Sequence, residues 1–177
     1  MNKDLFIKQL TKLISFETVS GNVPENSKAP DYVESILNKK VIVNRIKNGS
    51  AEILLASNAK TMSPDMGYMV HMDVVAAKPE QFKVAVKGDK IFGRGVSDMK
   101  FSIPFGIELL NNLAQNKSKT SFTLAITTDE ETGGFEGGKY LEEKMRFSPK
   151  CLIVPDGGDN LTFVNKAKGV CQLIVTV

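Results

Sequence analysis

The chain of 177 residues has no tryptophan, one histidine and two cysteines. Cys151 and Cys171 are far apart and lie in apolar segments, so we expect two reduced, buried thiols and no disulfide framework. No apolar segment is long enough to span a bilayer, and no long apolar region follows the acidic N-terminus. We therefore expect a cytoplasmic protein without a membrane partner.

A strong excess of one charge is also missing. Lysine and arginine number 23 against 20 acidic residues, and the basic residues are scattered along the chain. Without a basic stripe, a nucleic-acid partner is not expected. The chain is 42% hydrophobic and 24% charged, which is typical of a globular domain, and its length is sufficient for one sizeable core.

The spacing of apolar residues predicts a mixture of helices and strands. Helices are predicted over 3–15, 31–39, 98–114 and 138–145, and residues 17–30, rich in Ser, Asn, Pro and Gly, are predicted to be a loop. Strands are predicted over 41–46, 52–56, 66–73, 82–86, 90–92, 121–128, 151–154 and 169–177, with hairpin turns at Asn48-Gly49 and Gly88-Asp89. Hairpins combined with β-α-β alternation favour an α/β fold, a three-layer sandwich with a mixed sheet.

The only histidine, His71, ends an apolar run, and Asp73 follows two positions later. A metal-bound imidazole usually donates its second N–H to a carboxylate, and Asp73 is suitably placed for this. However, a strand directs residues i and i+2 to one face for any purpose, so a buried core histidine is the simpler interpretation of this pair taken alone.

Acidic residues follow the other predicted strands. Asp98 comes after the second hairpin, Asp129-Glu130-Glu131 follow strand 121–128, and Asp156 follows strand 151–154. Sites in open α/β sheets form beyond the C-terminal ends of strands, and converging carboxylates repel each other unless a cation lies among them.

Each acid also has a purely structural interpretation. Asp98 could be a helix N-cap, residues 129–131 acids at a helix start, and Asp156 a turn former. Taken together, the acids and His71 favour one or two divalent metals. Imidazole and carboxylate donors without a thiolate motif suit zinc, manganese or cobalt.

Four motifs in order resemble the M20 family of metallopeptidases and deacylases, which includes acetylornithine deacetylase, succinyl-diaminopimelate desuccinylase and carboxypeptidase G2. The motifs are Val70–Val75, Gly93–Lys100, Thr128–Gly134 and Asp156–Gly158. The resemblance implies a zinc-peptidase-like catalytic domain. It also implies metal-dependent hydrolysis of an amide bond in a dipeptide, a tripeptide or an N-acyl amino acid, as in an aminoacylase.

The resemblance further implies a role for individual residues. Four of them would bind two metals, most simply two zinc ions with cobalt or manganese as alternatives: His71, Asp98, Glu131 and Asp156. Asp98 would lie between the metals, Asp73 would orient His71, and Glu130 would be the general base acting on a water held by the two metals. Enzymes of this kind also often have a cis peptide bond at the position of Asp98-Met99.

The sequence departs from the family pattern in its length. Family members interrupt the catalytic domain with a lid domain, through which full-length enzymes form homodimers, and supply a further histidine ligand afterwards. We therefore expect residues 1–165 to be the incomplete N-terminal part of the catalytic domain and residues 166–177 to be the first strand of the lid. With His71 alone, the chain by itself is expected to hold at most one metal tightly and to be inactive or nearly so.

Two alternatives remain. Residues Gly133–Lys139 read G-x-x-x-x-G-K after a strand and before a helix, which is the context of a phosphate-binding loop in a nucleotide-binding α/β domain. This alternative is less favoured, because Tyr140 replaces the usual Ser or Thr and three acids lie just upstream. The other alternative is a truncated, non-catalytic remnant or fragment of an M20-like enzyme.

Overall fold

The computed structural model describes residues 2–157, 162 and 164–166. The predicted strand 169–177 and Cys171 lie outside the described residues, as does nearly all of the predicted lid segment 166–177 and Gly158 of the fourth motif. Among the described residues, no helix has the length and apolar character needed to cross a membrane.

The described residues form helices and strands in the mixed order that the sequence predicts. In chain order they are α1 (Lys3–Ile14), α2 (Val23–Ser35), β1 (Ile42–Asn48), β2 (Ala51–Ser57), β3 (Met66–His71), β4 (Ala85–Lys87), β5 (Lys90–Phe92), α3 (Ser102–Gln115), β6 (Phe122–Thr127), α4 (Gly138–Glu143) and β7 (Cys151–Ile153). Short 3-10 turns cover Pro79–Phe82 and Glu130–Thr132.

Five strands form one mixed sheet in the order β1-β2-β6-β3-β7. β1, β2 and β6 pair antiparallel, whereas β3 pairs parallel with both β6 and β7. The predicted hairpin at Asn48-Gly49 joins β1 to β2, and β4 and β5 form a separate two-stranded ribbon. The mixed sheet predicted from the sequence is therefore confirmed.

Alternation along the central strands creates a layer of side chains on each face of the sheet. Leu54 and Ala56 of β2 belong to a core with apolar residues of α1, α2 and α3. Ile53 and Leu55, which alternate with them, pack with Leu141 of α4 on the other side. Helices thus cover both faces, and the fold is the predicted three-layer arrangement.

The prediction of a loop over residues 17–30 is wrong, because helix α2 begins at Val23. Pro24 lies in the first turn, where a backbone N–H would have no helical partner in any case. Asn26, Ala29, Pro30 and Val33 then form one buried face at helical spacing, and this burial outweighs the donor that Pro30 removes. The predicted helix 31–39 overlaps α2 only at residues 31–35, and residues 36–39 follow the end of the helix.

Three further expectations are corrected. Helix α3 starts at Ser102 with Phe101 as N-cap, so Asp98 is not a helix cap. Phe82 ends a 3-10 turn instead of starting a strand. Cys151 is exposed and not buried, because β7 is an edge strand that pairs only with β3 among the described strands.

Candidate metal centre

The C-terminal ends of β3 and β6 lie side by side. The two strands pair in parallel with His71 opposite Thr127, so the residues that follow each strand emerge at the same edge of the sheet. β7 runs parallel to β3 on its other side and delivers Asp156 to the same edge. Asp98 reaches this edge from the loop that precedes α3.

The predicted site residues converge on the imidazole of His71. Its Nε2 lies 3.0 Å from Asp98 Oδ1, 3.6 Å from Asp156 Oδ2 and 3.7 Å from Glu130 Oε2. Two groups of three have donor atoms within 4.8 Å of one another: His71 with Asp98 and Glu131, and His71 with Glu130 and Asp156. The Asp98-Met99 peptide bond is cis, as predicted.

The second ring nitrogen of His71 faces away from these acids. Its Nδ1 lies 3.0 Å from the main-chain oxygen of Asp73 and 3.5 Å from that residue's carboxylate. A carbonyl can only accept, so Nδ1 carries a proton and donates it. In the neutral ring, the Nε2 lone pair therefore points at the carboxylates.

A lone pair facing several carboxylates requires a cation between them. In the absence of metal, that cation is a proton. Burial alone would lower the pKa of His71, but the hydrogen bond and charge of Asp73, with the charge of Glu130, raise it to about 9. Burial and neighbouring carboxylates likewise raise the pKa values of Glu130 and Glu131. A divalent ion would relieve the same conflict, and one imidazole with carboxylates is a donor set that suits zinc, cobalt or manganese.

Asp129, which was assigned no separate role from the sequence, organises the glycine-rich loop behind the site. It is buried, and its Oδ2 accepts the N–H groups of Glu136 and Gly137, both at 2.9 Å. A side chain at Gly137 would collide with this carboxylate. The chain's own carboxylate therefore takes two of the N–H groups that a phosphate-binding loop would offer, which argues against nucleotide binding.

Lys100 is a second buried residue for which the sequence suggested no role. Its side chain is fully buried, and Nζ donates to the main-chain oxygens of Leu13 and Phe16, both at 3.0 Å. Burial lowers the pKa of Lys100 to about 7, although the negative charges of Asp73 and Glu25 act in the opposite direction. Lys100 thus ties the end of α1 to the loop that carries Asp98.

The segment that follows α1 also supports the site. Val19 pairs in parallel with Val74, and Thr18 donates its hydroxyl to the main-chain oxygen of Met72 at 2.6 Å. Ser20 donates to the carboxylate of Asp73 at 3.1 Å. These contacts fix the residues that follow β3. The sequence does not predict them, because this segment belongs to the predicted loop 17–30.

Comparison with known proteins gives consistent matches over most of the chain. Residues 67–165 match the family described as peptidase family M20/M25/M40. An acetylornithine deacetylase of Pectobacterium carotovorum subsp. carotovorum (strain PC1) is 29% identical over 122 residues, which cover 69% of this chain and 30% of that protein. A succinyl-diaminopimelate desuccinylase of Rickettsia canadensis (strain McKiel) is 30% identical over 151 residues, which cover 77% of this chain and 38% of that protein.

Solved structures match at the level of the fold. The M20 family metallo-carboxypeptidase Sso-CP2 from Sulfolobus solfataricus superposes with a TM-score of 0.70 at 20% identity, covering 89% of this chain and 38% of that one. Human carnosine dipeptidase 1 gives a TM-score of 0.69 at 17% identity, and the match covers 87% of this chain and 38% of that one. The chain spans less than half the length of the relatives it matches.

Proposed function

Because the chain belongs to peptidase family M20/M25/M40, whose model matches more than half of it, we propose that it carries the catalytic residues of a metal-dependent amide hydrolase. The observation that carries this proposal is the imidazole of His71, whose Nε2 faces three carboxylates within 3.7 Å while Nδ1 is engaged elsewhere. A buried ring in this position is poised to bind a cation.

The proposed ligands are His71, Asp98, Glu131 and Asp156. Their support is the pair of three-residue groups, both of which contain His71. A divalent ion bound by these side chains would supply Lewis acidity, which polarises an amide carbonyl and acidifies water near neutral pH. We propose zinc as the metal, because mixed imidazole and carboxylate donors suit it.

Glu130 is the proposed general base. It lies beside the ligands with a half-exposed side chain, so that water and substrate can reach its carboxylate. Burial and the charges of Asp156, Asp73 and Glu131 raise its pKa, which makes it a better proton acceptor than an ordinary glutamate. It would take a proton from the attacking water and pass it to the departing amine.

We propose that the substrate is a small peptide or an N-acyl amino acid. The names of the matched proteins include deacylases of amino acids and a dipeptidase, and all of these cleave an amide bond in a small amino acid derivative. We propose this activity for a whole enzyme of the relatives' length that includes these residues, since the matched relatives are more than twice as long.

Metal titration and activity assays test the two parts of the proposal. The chain stripped with a chelator should bind Zn²⁺ in calorimetry, His71→Ala should abolish tight binding, and Glu130→Gln should retain it. Asp65→Asn, which alters a carboxylate at the opposite end of β3, is the matched control and should bind normally. In the whole protein, Glu130→Gln should abolish amide hydrolysis with the metal still bound.

Zinc binding that survives His71→Ala would contradict the proposed ligand set. A whole protein that binds metal through these residues but hydrolyses no amide would instead support the non-catalytic remnant.

A further inference from the structure

We propose that Asp73 is a positioning residue for the turn that carries Glu130 and Glu131, and that Ser20 is its supporting partner. The inference rests on the proposed function, because it explains how the proposed base and a proposed ligand are held beside His71. It differs from the role implied by the family resemblance, in which Asp73 orients the imidazole.

The carboxylate of Asp73 accepts hydrogen bonds mainly from the glutamate turn, which is the 3-10 turn Glu130–Thr132. Its fully buried carboxylate accepts the N–H of Glu130 at 3.1 Å through Oδ1 and the N–H of Glu131 at 3.0 Å through Oδ2. Oδ2 also accepts the hydroxyl of Ser20 at 3.1 Å. The imidazole of His71 is 3.5 Å from this carboxylate and finds its closer acceptor in the main-chain oxygen of the same residue.

The glutamate turn needs such an acceptor. Glu130–Thr132 is a single 3-10 turn that Thr128 and Asp129 separate from β6, and the first N–H groups of a helical turn have no partner within it. A buried carboxylate satisfies two of these N–H groups with charge-assisted hydrogen bonds, which are stronger than neutral ones. It thereby fixes the main chain from which both glutamates extend towards the site.

These two hydrogen bonds, which we call the Asp73 clamp, hold the turn against electrostatic repulsion, to which the charge of Asp73 itself adds. The carboxylates of Glu130 and Glu131 lie close to those of Asp156 and Asp98, and each pair repels. Without a fixed backbone, the two side chains would move apart whenever no cation lies between them. Asp73 therefore preorganises the site before a metal arrives.

Ser20 is placed to hold the Asp73 carboxylate in this position. Its own N–H donates to the main-chain oxygen of Val74 at 3.2 Å, next to the bridge between Val19 and Val74. The main chain therefore fixes the hydroxyl, and removing it leaves these backbone contacts intact. Ser20→Ala is thus a mild probe of the clamp, and Ser20→Thr, which keeps the hydroxyl, is its conservative counterpart.

Amide hydrogen exchange of the full 177-residue chain, measured by NMR without metal, tests the clamp directly. An asparagine at position 73 has one oxygen, so at least one of the two glutamate N–H groups loses its acceptor in Asp73→Asn. We expect that amide to exchange at least about tenfold faster, as for the loss of a hydrogen bond to a charged group. The chain's single imidazole should keep its Nδ1–H signal, because its acceptor is a carbonyl.

Asp65→Asn is the matched control for this experiment. Asp65 also accepts a main-chain N–H and a hydroxyl, both from Ser121, but at the opposite end of the β3–β6 pair. This variant should leave the exchange of Glu130 and Glu131 unchanged. If Asp73→Asn instead removes the imidazole Nδ1–H signal and leaves both glutamate amides protected, the proposal is overturned.

Ser20 variants keep the proposal testable if Asp73→Asn does not fold. Ser20→Ala should accelerate exchange at Glu131 and weaken Zn²⁺ binding about tenfold, the lower end of the effect of changing a residue that supports a metal ligand. Ser20→Thr should restore both, and unchanged exchange in Ser20→Ala would contradict the role of Ser20. Exchange is measured without metal, so a chain that binds no zinc would refute the proposed function but not the clamp.

Discussion

His71 is held by two different kinds of acceptor. A main-chain oxygen takes the proton of Nδ1, whereas Nε2 faces carboxylates that belong to three separate segments of the chain. The ring is 2% exposed, so the charge it carries is decided by these neighbours and not by water. This makes its protonation a direct measure of the electrostatics of the site.

In the chain stripped of metal, we expect His71 to titrate with a pKa of about 9, above its ordinary value of 6.5. Burial opposes this shift, but the hydrogen bond and charges of Asp73 and the charge of Glu130 outweigh it. The imidazole resonances report the pKa without assignment, since the chain has one histidine.

The same shift predicts how stability depends on pH. The folded state binds the proton more tightly than the unfolded state, so the contribution of His71 is fully present below pH 6.5 and is lost as the pH rises through about 9. Melting temperatures of the metal-free chain should fall across this window, and those of His71→Gln should fall less. A measured pKa at or below 6.5 would contradict both expectations.

Among individual residues, the sequence predicted the charged groups of the candidate site but not Ser20 and Lys100, whose contacts support that site. His71, Asp98, Glu130, Glu131 and Asp156 could be predicted because they follow strands and lie in recognisable motifs. The contacts of Ser20 and Lys100 are with atoms that only the fold brings near, such as the main-chain oxygens of Leu13 and Phe16. No spacing in the sequence encodes such partners.

Among the elements, α2 shows where composition misleads. Its Ser, Asn and Pro residues predicted a loop, yet the helix is fixed against the β1–β2 hairpin by an ion network. Arg45 of β1 contacts Asp31 at 2.8 Å and the largely buried Glu52 at 3.2 Å, and Glu52 also accepts the hydroxyl of Ser27. Tertiary contacts of this kind override local propensity.

We expect the ion pairs of Arg45 with Glu52 and with Asp31 to differ in importance. Arg45→Met would leave the carboxylate of Glu52 without its cation in a largely buried position and should lower the free energy of unfolding by about 2 kcal/mol. Asp31→Asn removes only an exposed partner and should cost less than about 0.5 kcal/mol. Urea denaturation of the two variants measures this difference, and equal losses would show that the network is merely a surface feature.

At the scale of the whole molecule, the described strands leave one edge of the sheet apolar and exposed. Leu152, Ile153 and Val154, in and after β7, are 47%, 40% and 53% exposed, and β7 pairs only with β3 among the described strands. An open strand edge with apolar side chains recruits other chains. The strand predicted over 169–177 would offer a further edge of this kind, and it lies outside the described residues.

We therefore expect the isolated chain to self-associate as its concentration rises, through the edge at β7. Ile153→Lys should shift the molecule towards the monomer in sedimentation velocity, because a charge on an edge strand opposes pairing between chains. Val86→Lys, at an exposed apolar residue of the separate β4–β5 ribbon, is the control and should change nothing. A wild-type chain that stays monomeric at high concentration would refute the expectation.

The overall architecture could be predicted from the sequence because it depends on the periodicity of apolar residues, which survives local errors. Asp98 lies outside α3 and α2 starts earlier than predicted, but these shifted boundaries change neither the mixed sheet nor the edge at which the acids meet. The exposure of Cys151 could not be predicted, because it depends on β7 lying at the sheet edge and not on its own apolar composition.

The number of metals that the described residues can hold follows from the chain's single imidazole. Both groups of candidate ligands include His71, yet Nδ1 is engaged with the main chain, so the ring offers one nitrogen to one ion. A second ion would have to bind through carboxylates alone, chiefly Asp98 and Glu131. Zinc sites in proteins normally combine three or more side-chain ligands, so we expect this second site to be weak.

After dialysis against zinc and then against metal-free buffer, elemental analysis of the isolated chain should therefore find at most about one tightly held ion. Hydrolysis of N-acyl amino acids and dipeptides should stay near background, because a site with one ion lacks the stabilisation that a second ion would give to the transition state. His71→Ala should hold none and defines the background. Two ions that resist dialysis, or robust turnover that depends on His71, would show that carboxylates alone complete the second site.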